Sequence, residues 1–247
     1  MSLASSEVWT RIGNSRIASP LQCRSWAAEV AEQLSQEDAA SGLKVLQYLI
    51  ALKHLTKYQA KILAGQSDQP LLIGNWIVLS QRKDALWRGW VDVAGGVGTS
   101  EAQNRYWARW LDEGQLSQLS ACGPGLPRAL RLSQCEQPQL LKVFAPEMVD
   151  DKLLVRVAPP ESGGDLLSAQ SDSVPFAADE ALDLFQQLVS TVAGLHRHQL
   201  VHGRLLPDRV LKLNSRLFLL IDPICSLTTT DDPQHSGLLG SHLDNLH

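Results

Sequence analysis

The chain has 247 residues, of which 44% are hydrophobic and 19% charged, and it carries a net charge of −4 at neutral pH. That length fits one large domain or two small ones, and the apolar share suffices for a core. The two signs of charge are interspersed, which gives no footing for nucleic acid or an anionic membrane, and no stretch nears the roughly 18 continuous apolar residues of a membrane span.

Cys23, Cys122, Cys135 and Cys225 show no C-x-x-C spacing. Isolated cysteines in a chain of this length read as reduced thiols, so a cytoplasmic location is expected. Residues 1–20 are polar, hold Gly13 and Pro20, and lack the apolar core of a signal peptide. They are expected to be a flexible lead-in.

Residues 21–68 are expected to be a helical extension. Trp26, Val30 and Leu34 recur at helical spacing. Ser35 with Asp38 fits a cap before a second helix whose apolar side is Leu43, Leu46, Tyr48, Leu49, Leu52 and Leu55. Gly42 sits inside that pattern, at a cost of about 1 kcal/mol against Ala. Thr56 caps a third short helix, Lys57 to Ala64, and Gly65 ends it. Gln66 to Pro70 is a polar linker.

Residues 71–158 read mostly as strands. Leu71 to Leu79, Trp87 to Val93 and Tyr106 to Leu111 are rich in β-branched and aromatic residues. Gly95-Gly96-Val97-Gly98 fits a hairpin turn, Asp112 to Ser120 a stunted helix, and Cys122 to Pro127 a break with two Gly and two Pro. Leu140 to Phe144 and Lys152 to Val157 are expected to pair as a hairpin around the acidic turn Glu147 to Asp151. Ala158 to Leu166 is a Pro/Gly-rich connector. Ala177 to His196 is a long helix with the apolar stripe Ala181, Phe185, Leu188, Val192 and Leu195, flanked by Leu182, Leu184 and Val189. Asp179 and Glu180 suit its first turn. Val210 to Leu213 and Leu217 to Ile221 form a strand pair that turns at Asn214-Ser215-Arg216.

Between that helix and those strands runs Gly194-Leu195-His196-Arg197-His198-Gln199-Leu200-Val201-His202-Gly203-Arg204-Leu205-Leu206-Pro207-Asp208-Arg209-Val210-Leu211. Its frame resembles the catalytic loop of protein kinases, roughly L-H-x-x-x-[IL]-[VI]-H-[RG]-D-L-K-P-x-N-[IV]-L. Leu219-Leu220-Ile221-Asp222-Pro223-Ile224 is similar to the strand ending in the family's D-F-G, with Asp222 18 positions after Arg204. Leu55-Thr56-Lys57-Tyr58-Gln59-Ala60, followed by Leu71-Leu72-Ile73-Gly74-Asn75-Trp76, also resembles the helical extension ahead of the kinase domain in some bacterial Ser/Thr kinases.

The resemblance implies an α+β, protein-kinase-like fold over residues 69–247. It comprises an antiparallel N-lobe sheet, about 69–158, and the start of a helical C-lobe, about 159–247. No activation segment or A-P-E motif follows Asp222, so either the chain is a fragment or the lower lobe is cut down. The resemblance also implies a rewritten site. Arg204 takes the place of the catalytic aspartate, Leu206 of the lysine and Arg209 of the metal-binding asparagine, while His202 keeps its structural position. Arg109 falls near the ATP-binding lysine, and Asp222 matches the D-F-G aspartate that would hold metal. The connection Ser80 to Leu86 has no glycine where the family covers the nucleotide phosphates.

The expected function is a catalytically inactive, pseudokinase-like domain serving as a regulatory or protein-binding module. A protein partner is expected, and no nucleic acid or membrane. No cofactor is expected; ATP and magnesium belong to the alternative of an active, atypical Ser/Thr kinase. A third alternative is an unrelated α+β interaction domain. Arg204 or Arg209 either pairs with Asp222 or binds an anionic group. His196, His198 and His202 have no carboxylate or cysteine partner at metal-ligand spacing.

Overall fold

The computed structural model describes residues 3–82, 87, 89–96, 104–115, 117, 125–160, 165–166, 176–203, 205–213, 216–221 and 223, the side chains of 125–126 and 165–166 excepted. Helices and antiparallel sheets share the chain, which divides into two compact units. One holds Met1–Trp110 with Glu147–Glu161, the other Leu111–Pro146 with Ser162–His247.

The first unit opens with α1 (Ser5–Ser15), α2 (Pro20–Gln33), α3 (Gln36–Ala40), α4 (Gly42–Ala51) and α5 (Lys57–Leu63). Helix α1 corrects the expected flexible lead-in. Val8 and Ile12, one turn apart, are fully buried, and the Arg11 guanidinium donates to the Leu63 carbonyl at 2.7 Å. Two apolar anchors suffice because α4 comes close. A Cβ on Gly42 would lie 2.8 Å from Val8 Cγ2 and 2.9 Å from the Ala4 carbonyl. Gly42 thus opens α4 as a contact residue rather than weakening its middle. Ser35 caps the short α3 instead of the helix that carries Leu43, Leu46 and Leu49, because the chain breaks at Ser41 and α4 starts anew there. Thr56 caps α5 as expected, in a reciprocal capping box with Gln59. Ser19 with Gln22 makes another on α2, after which Pro20 sits at the first helical position.

The sheet has six strands in the order β1-β2-β3-β4-β6-β5. They are β1 (Leu72–Ile73), β2 (Trp76–Gln81), β3 (Val91–Gly95), β4 (Arg105–Leu111), β5 (Glu147–Val149) and β6 (Lys152–Val157). Val78, Val93 and Tyr106 stand in register across β2, β3 and β4. Ile77 on β2 belongs to the same buried cluster as Val8, Val45 and Leu49, so the helices and the sheet share one core. Gln59 Nε2 and Thr56 Oγ1 fasten the two, donating to the carbonyls of Val78 and Leu79 at 2.9 and 2.5 Å.

Three expectations shift here. The strand expected from Trp87 starts at Val91, because Trp87 and Trp90 fold into an edge-to-face pair before it. Gly95 ends β3, while Val97 and Gly98 lie outside the described residues. The strand β6 pairs with β5, not with Leu140 to Phe144. Asp150 and Asp151 both take positive φ, 47° and 60°, as a two-residue hairpin turn of the primed kind requires. Aspartate tolerates that region, so the tighter hairpin forms.

The β1–β2 turn puts Gly74 at φ +55°, and a Cβ there would lie 2.2 Å from Val149 Cγ1. Gly74→Ala is expected to cost about 2–4 kcal/mol, a left-handed backbone cost plus overpacking. A fall in the urea midpoint at unchanged m-value checks this.

The second unit contains α6 (Gly125–Ser133), β7 (Asp165–Leu166), α7 (Ala178–Arg197), a 3₁₀ turn (Pro207–Arg209), β8 (Val210–Leu213) and β9 (Arg216–Leu219), with β7-β8-β9 forming one sheet. Helix α6 begins inside the stretch read as a break. Pro127 falls in its first turn, where no helical N–H bond is lost. Leu140 bridges to Leu219, whose N–H donates to the Gln139 carbonyl at 2.7 Å, so this segment serves the second unit's core.

Helix α7 lies where expected but presents another face. Leu184, Thr191, Gly194 and Leu195 are buried, while Leu182, Phe185 and Val189 are 57%, 61% and 49% exposed. Polar partners set the rotation. Glu180 pairs with Lys212 at 2.5 Å, and Gln187 Oε1 accepts the Leu217 N–H at 2.9 Å. Gly194 admits the Gln137 side chain, 2.4 Å from where a Cβ would stand. From 112 to 120, residues 113–115 and 117 are helical, opened by a reciprocal Asp112–Gln115 cap, and the others past Asp112 lie outside the described residues.

Candidate functional site

The site expected from sequence is the loop from α7 to β8. Helix α7 closes in a Schellman motif: Leu200 N–H donates to Leu195 O at 2.9 Å and Gln199 N–H to His196 O at 2.9 Å, with Gln199 at φ 55°. Leu195 and Leu200, the two positions at which this motif often places an apolar pair, are both buried.

Beyond it the chain is held from two sides. Arg128 on α6, only 5% exposed, donates to the Val201 carbonyl at 2.7 Å and the His202 carbonyl at 3.4 Å. Arg131 reaches Gln199 O at 3.4 Å. His202 Nε2 meets the Leu220 carbonyl at 3.2 Å. A carbonyl only accepts, so Nε2 carries the proton. Leu220 N–H donates to Arg209 O at 2.7 Å, and Arg209 N–H to Leu206 O at 2.9 Å, which closes the 3₁₀ turn.

These contacts place His202, Leu206 and Arg209 in one tied loop. His202 is half-buried and Leu206 is exposed. The Arg209 side chain is mostly buried, its Nε 3.7 Å from an Asp208 carboxylate oxygen. Arg204 and Asp222 lie outside the described residues, and with them the expected Arg–Asp222 pair. Arg109 is half-buried on β4 of the first unit. Arg82, in the connection without glycine, stacks 4.1 Å over Trp107 and pairs with Asp92 at 3.3 Å. The rest of that connection, 83–86, is outside the described residues.

Sequence reasoning missed Arg128. It stands next to Pro127, in a stretch judged by its helix breakers, and nothing in its own residue type marks it as a clamp. Among the described residues no three His, Cys, Asp or Glu side chains gather into a metal-holding group, and no helix is long and apolar enough to cross a membrane. Cys23 and Cys135 are free thiols whose burial pushes their pKa values up, which leaves them less reactive than a typical exposed cysteine.

No protein-family model matches the chain, and no curated protein matches it. Among solved structures it is similar to a kinase domain. A crystal structure of the Mycobacterium tuberculosis PknI kinase domain is 14% identical over 62% of this chain and 60% of that chain, with a TM-score of 0.49. A second crystal structure of the same domain is 16% identical over 63% of this chain and 62% of that chain, with a TM-score of 0.46. The chain thus spans less than two thirds of the kinase domains it matches.

Proposed function

We propose that this chain is a catalytically inactive, protein-kinase-like domain that works as a regulatory or protein-binding module. The observation that carries the reading is Arg209. It stands at the position where the kinase loop keeps its metal-binding asparagine, its backbone is bonded on both sides into the loop, and its guanidinium is mostly buried beside Asp208. A guanidinium offers donors and no lone pair, whereas magnesium takes oxygen ligands, from carboxylates, phosphates and water. At this position the chain therefore supplies no oxygen donor of the kind magnesium takes, which supports the reading.

Arg204, at the catalytic aspartate's position, stays protonated at any working pH and accepts no proton from a substrate hydroxyl. Arg82, already engaged by Trp107 and Asp92, supports the same reading for the phosphate-covering connection. What remains to such a scaffold is binding, and the exposed apolar row Leu182, Phe185 and Val189 on α7 is the kind of surface protein contacts use.

The test is a thermal-shift titration with ATP, with and without magnesium, beside an autophosphorylation assay. A ligand at 100 times its Kd stabilises by about 2.7 kcal/mol, several degrees in Tm for a chain of this size. The expected result is no magnesium-dependent shift and no phosphate incorporation. Arg204→Asp combined with Arg209→Asn is expected to leave transfer undetectable, because the phosphate-covering glycines are missing as well. Magnesium-dependent stabilisation with labelled product would overturn the reading.

A further inference from the structure

A cleft of about 560 Å³ opens in the first unit, between α2, the α4–α5 turn and strands β2 to β4. Its volume suits a small organic molecule. Trp26, Leu55, Ile77, Leu79 and Ala94 give it apolar walls.

Its polar groups are sorted by type. The side-chain acceptors on its walls are already in use. Gln59 Oε1 takes the Thr56 N–H, Thr56 Oγ1 takes the Gln59 N–H, and Gln22 Oε1 takes the Ser19 N–H. His54, stacked on Trp26 with ring centroids 4.9 Å apart, is bonded to Glu29. Among the described residues no Asp or Glu lines the cleft, but Lys53 and Arg105 do, and neither side chain has an ionic or hydrogen-bond partner there.

Lys53 also occupies a position where lysine is costly. Helix α4 ends in a Schellman motif, with Lys53 N–H to Ile50 O at 3.0 Å and His54 N–H to Leu49 O at 2.9 Å. Lys53 is its left-handed residue, at φ 61°, the place glycine usually takes. A strained residue held at the rim of a pocket is a pointer to function.

We infer that this cleft binds a small organic anion with an apolar body: an aryl or medium-chain carboxylate, sulfonate or phosphate monoester. Lys53 and Arg105 take the charged group, and the wall of Ile77, Leu79 and Ala94 takes the body. The contacts are charge-assisted and add to apolar burial.

The probe is 1-anilinonaphthalene-8-sulfonate, titrated by fluorescence into the full chain, with N-phenyl-1-naphthylamine as the same aromatic body without the sulfonate. The sulfonate is expected to bind at one saturable site and the neutral amine at least about tenfold more weakly, the loss of one charge-assisted contact. Lys53→Gly with Arg105→Gln is expected to weaken sulfonate binding by about tenfold or more and leave the amine unchanged. Lys53→Gly alone is expected to raise Tm by about 2–4 °C, because glycine removes the backbone strain. Stability rising while affinity falls separates a ligand contact from a structural one. Equal affinity for the two probes, absence of a saturable site, or sulfonate binding unchanged in the double variant would overturn the inference.

Discussion

Ile12→Asp is expected to remove most of the first unit's stability. Ile12 has no exposed surface and sits among Val8, Val45 and Leu49. A carboxylate there would be buried without a partner, at a cost of at least about 4 kcal/mol, against the roughly 5–15 kcal/mol that holds a whole domain folded. Ile12→Ala grades the effect: transfer and cavity costs together give about 2–4 kcal/mol. Thr10→Asp, two residues away on the exposed side of α1, should change the urea midpoint by less than about 0.5 kcal/mol in equivalent stability. Ile77 of β2 belongs to the same cluster, so the Ile12→Asp loss should be seen in the near-ultraviolet signal of the sheet's tryptophans as well as in helical circular dichroism. An Ile12→Asp protein with the parent's midpoint would return residues 1–20 to the flexible lead-in that their composition suggests.

Composition misleads there for a reason that recurs along the chain. Helix α5 was legible because its cap forms where Thr56 implies it, and α4 from its apolar spacing alone, since Ser35 caps the short α3 ahead of it and α4 opens at Ser41 without a side-chain cap. Helix α1 was not, since only Val8 and Ile12 of its residues are buried and the glycine that lets them dock, Gly42, lies on another helix. The extent of α7 was legible, but its buried face was not. A count of apolar residues favours the row through Phe185, while the observed rotation follows Glu180, Gln187 and Gly194, whose partners are distant in sequence. Likewise β6 has two candidate partners, and the choice of β5 falls to two aspartates that accept a left-handed turn.

The loop was legible as a frame. His202 and Arg209 meet through Leu220, whose carbonyl faces His202 Nε2 and whose N–H donates to the Arg209 carbonyl. The brace that holds the frame was not, because a carbonyl clamp can come from any helix carrying a long donor.

Arg128→Ala tests that brace and is expected to have the second large effect. The native guanidinium spans two backbone carbonyls, at 2.7 and 3.4 Å, from a side chain almost wholly buried on α6. Hydrogen bonds to a charged group are worth about 1.5–3 kcal/mol each, and the longer one lies at the weak end. Truncation also removes the donor to the Val201 carbonyl and empties the space of a long side chain. The expected cost is about 2–4 kcal/mol, measured as a shift of the urea midpoint. A second readout separates a brace from simple packing. The amides of Leu200, Arg209 and Leu220, which the loop's own backbone bonds protect, should exchange faster in the variant by a larger factor than those of β6. Arg128→Met keeps much of the volume and none of the donors, so it should resemble Arg128→Ala in exchange while recovering part of the stability. Arg128→Lys keeps the charge but has a single ammonium in place of the planar fork, and should restore one carbonyl contact rather than two. If Met protects the loop amides as well as Arg does, the clamp is apolar contact, and Arg128 does not hold the loop through its charge.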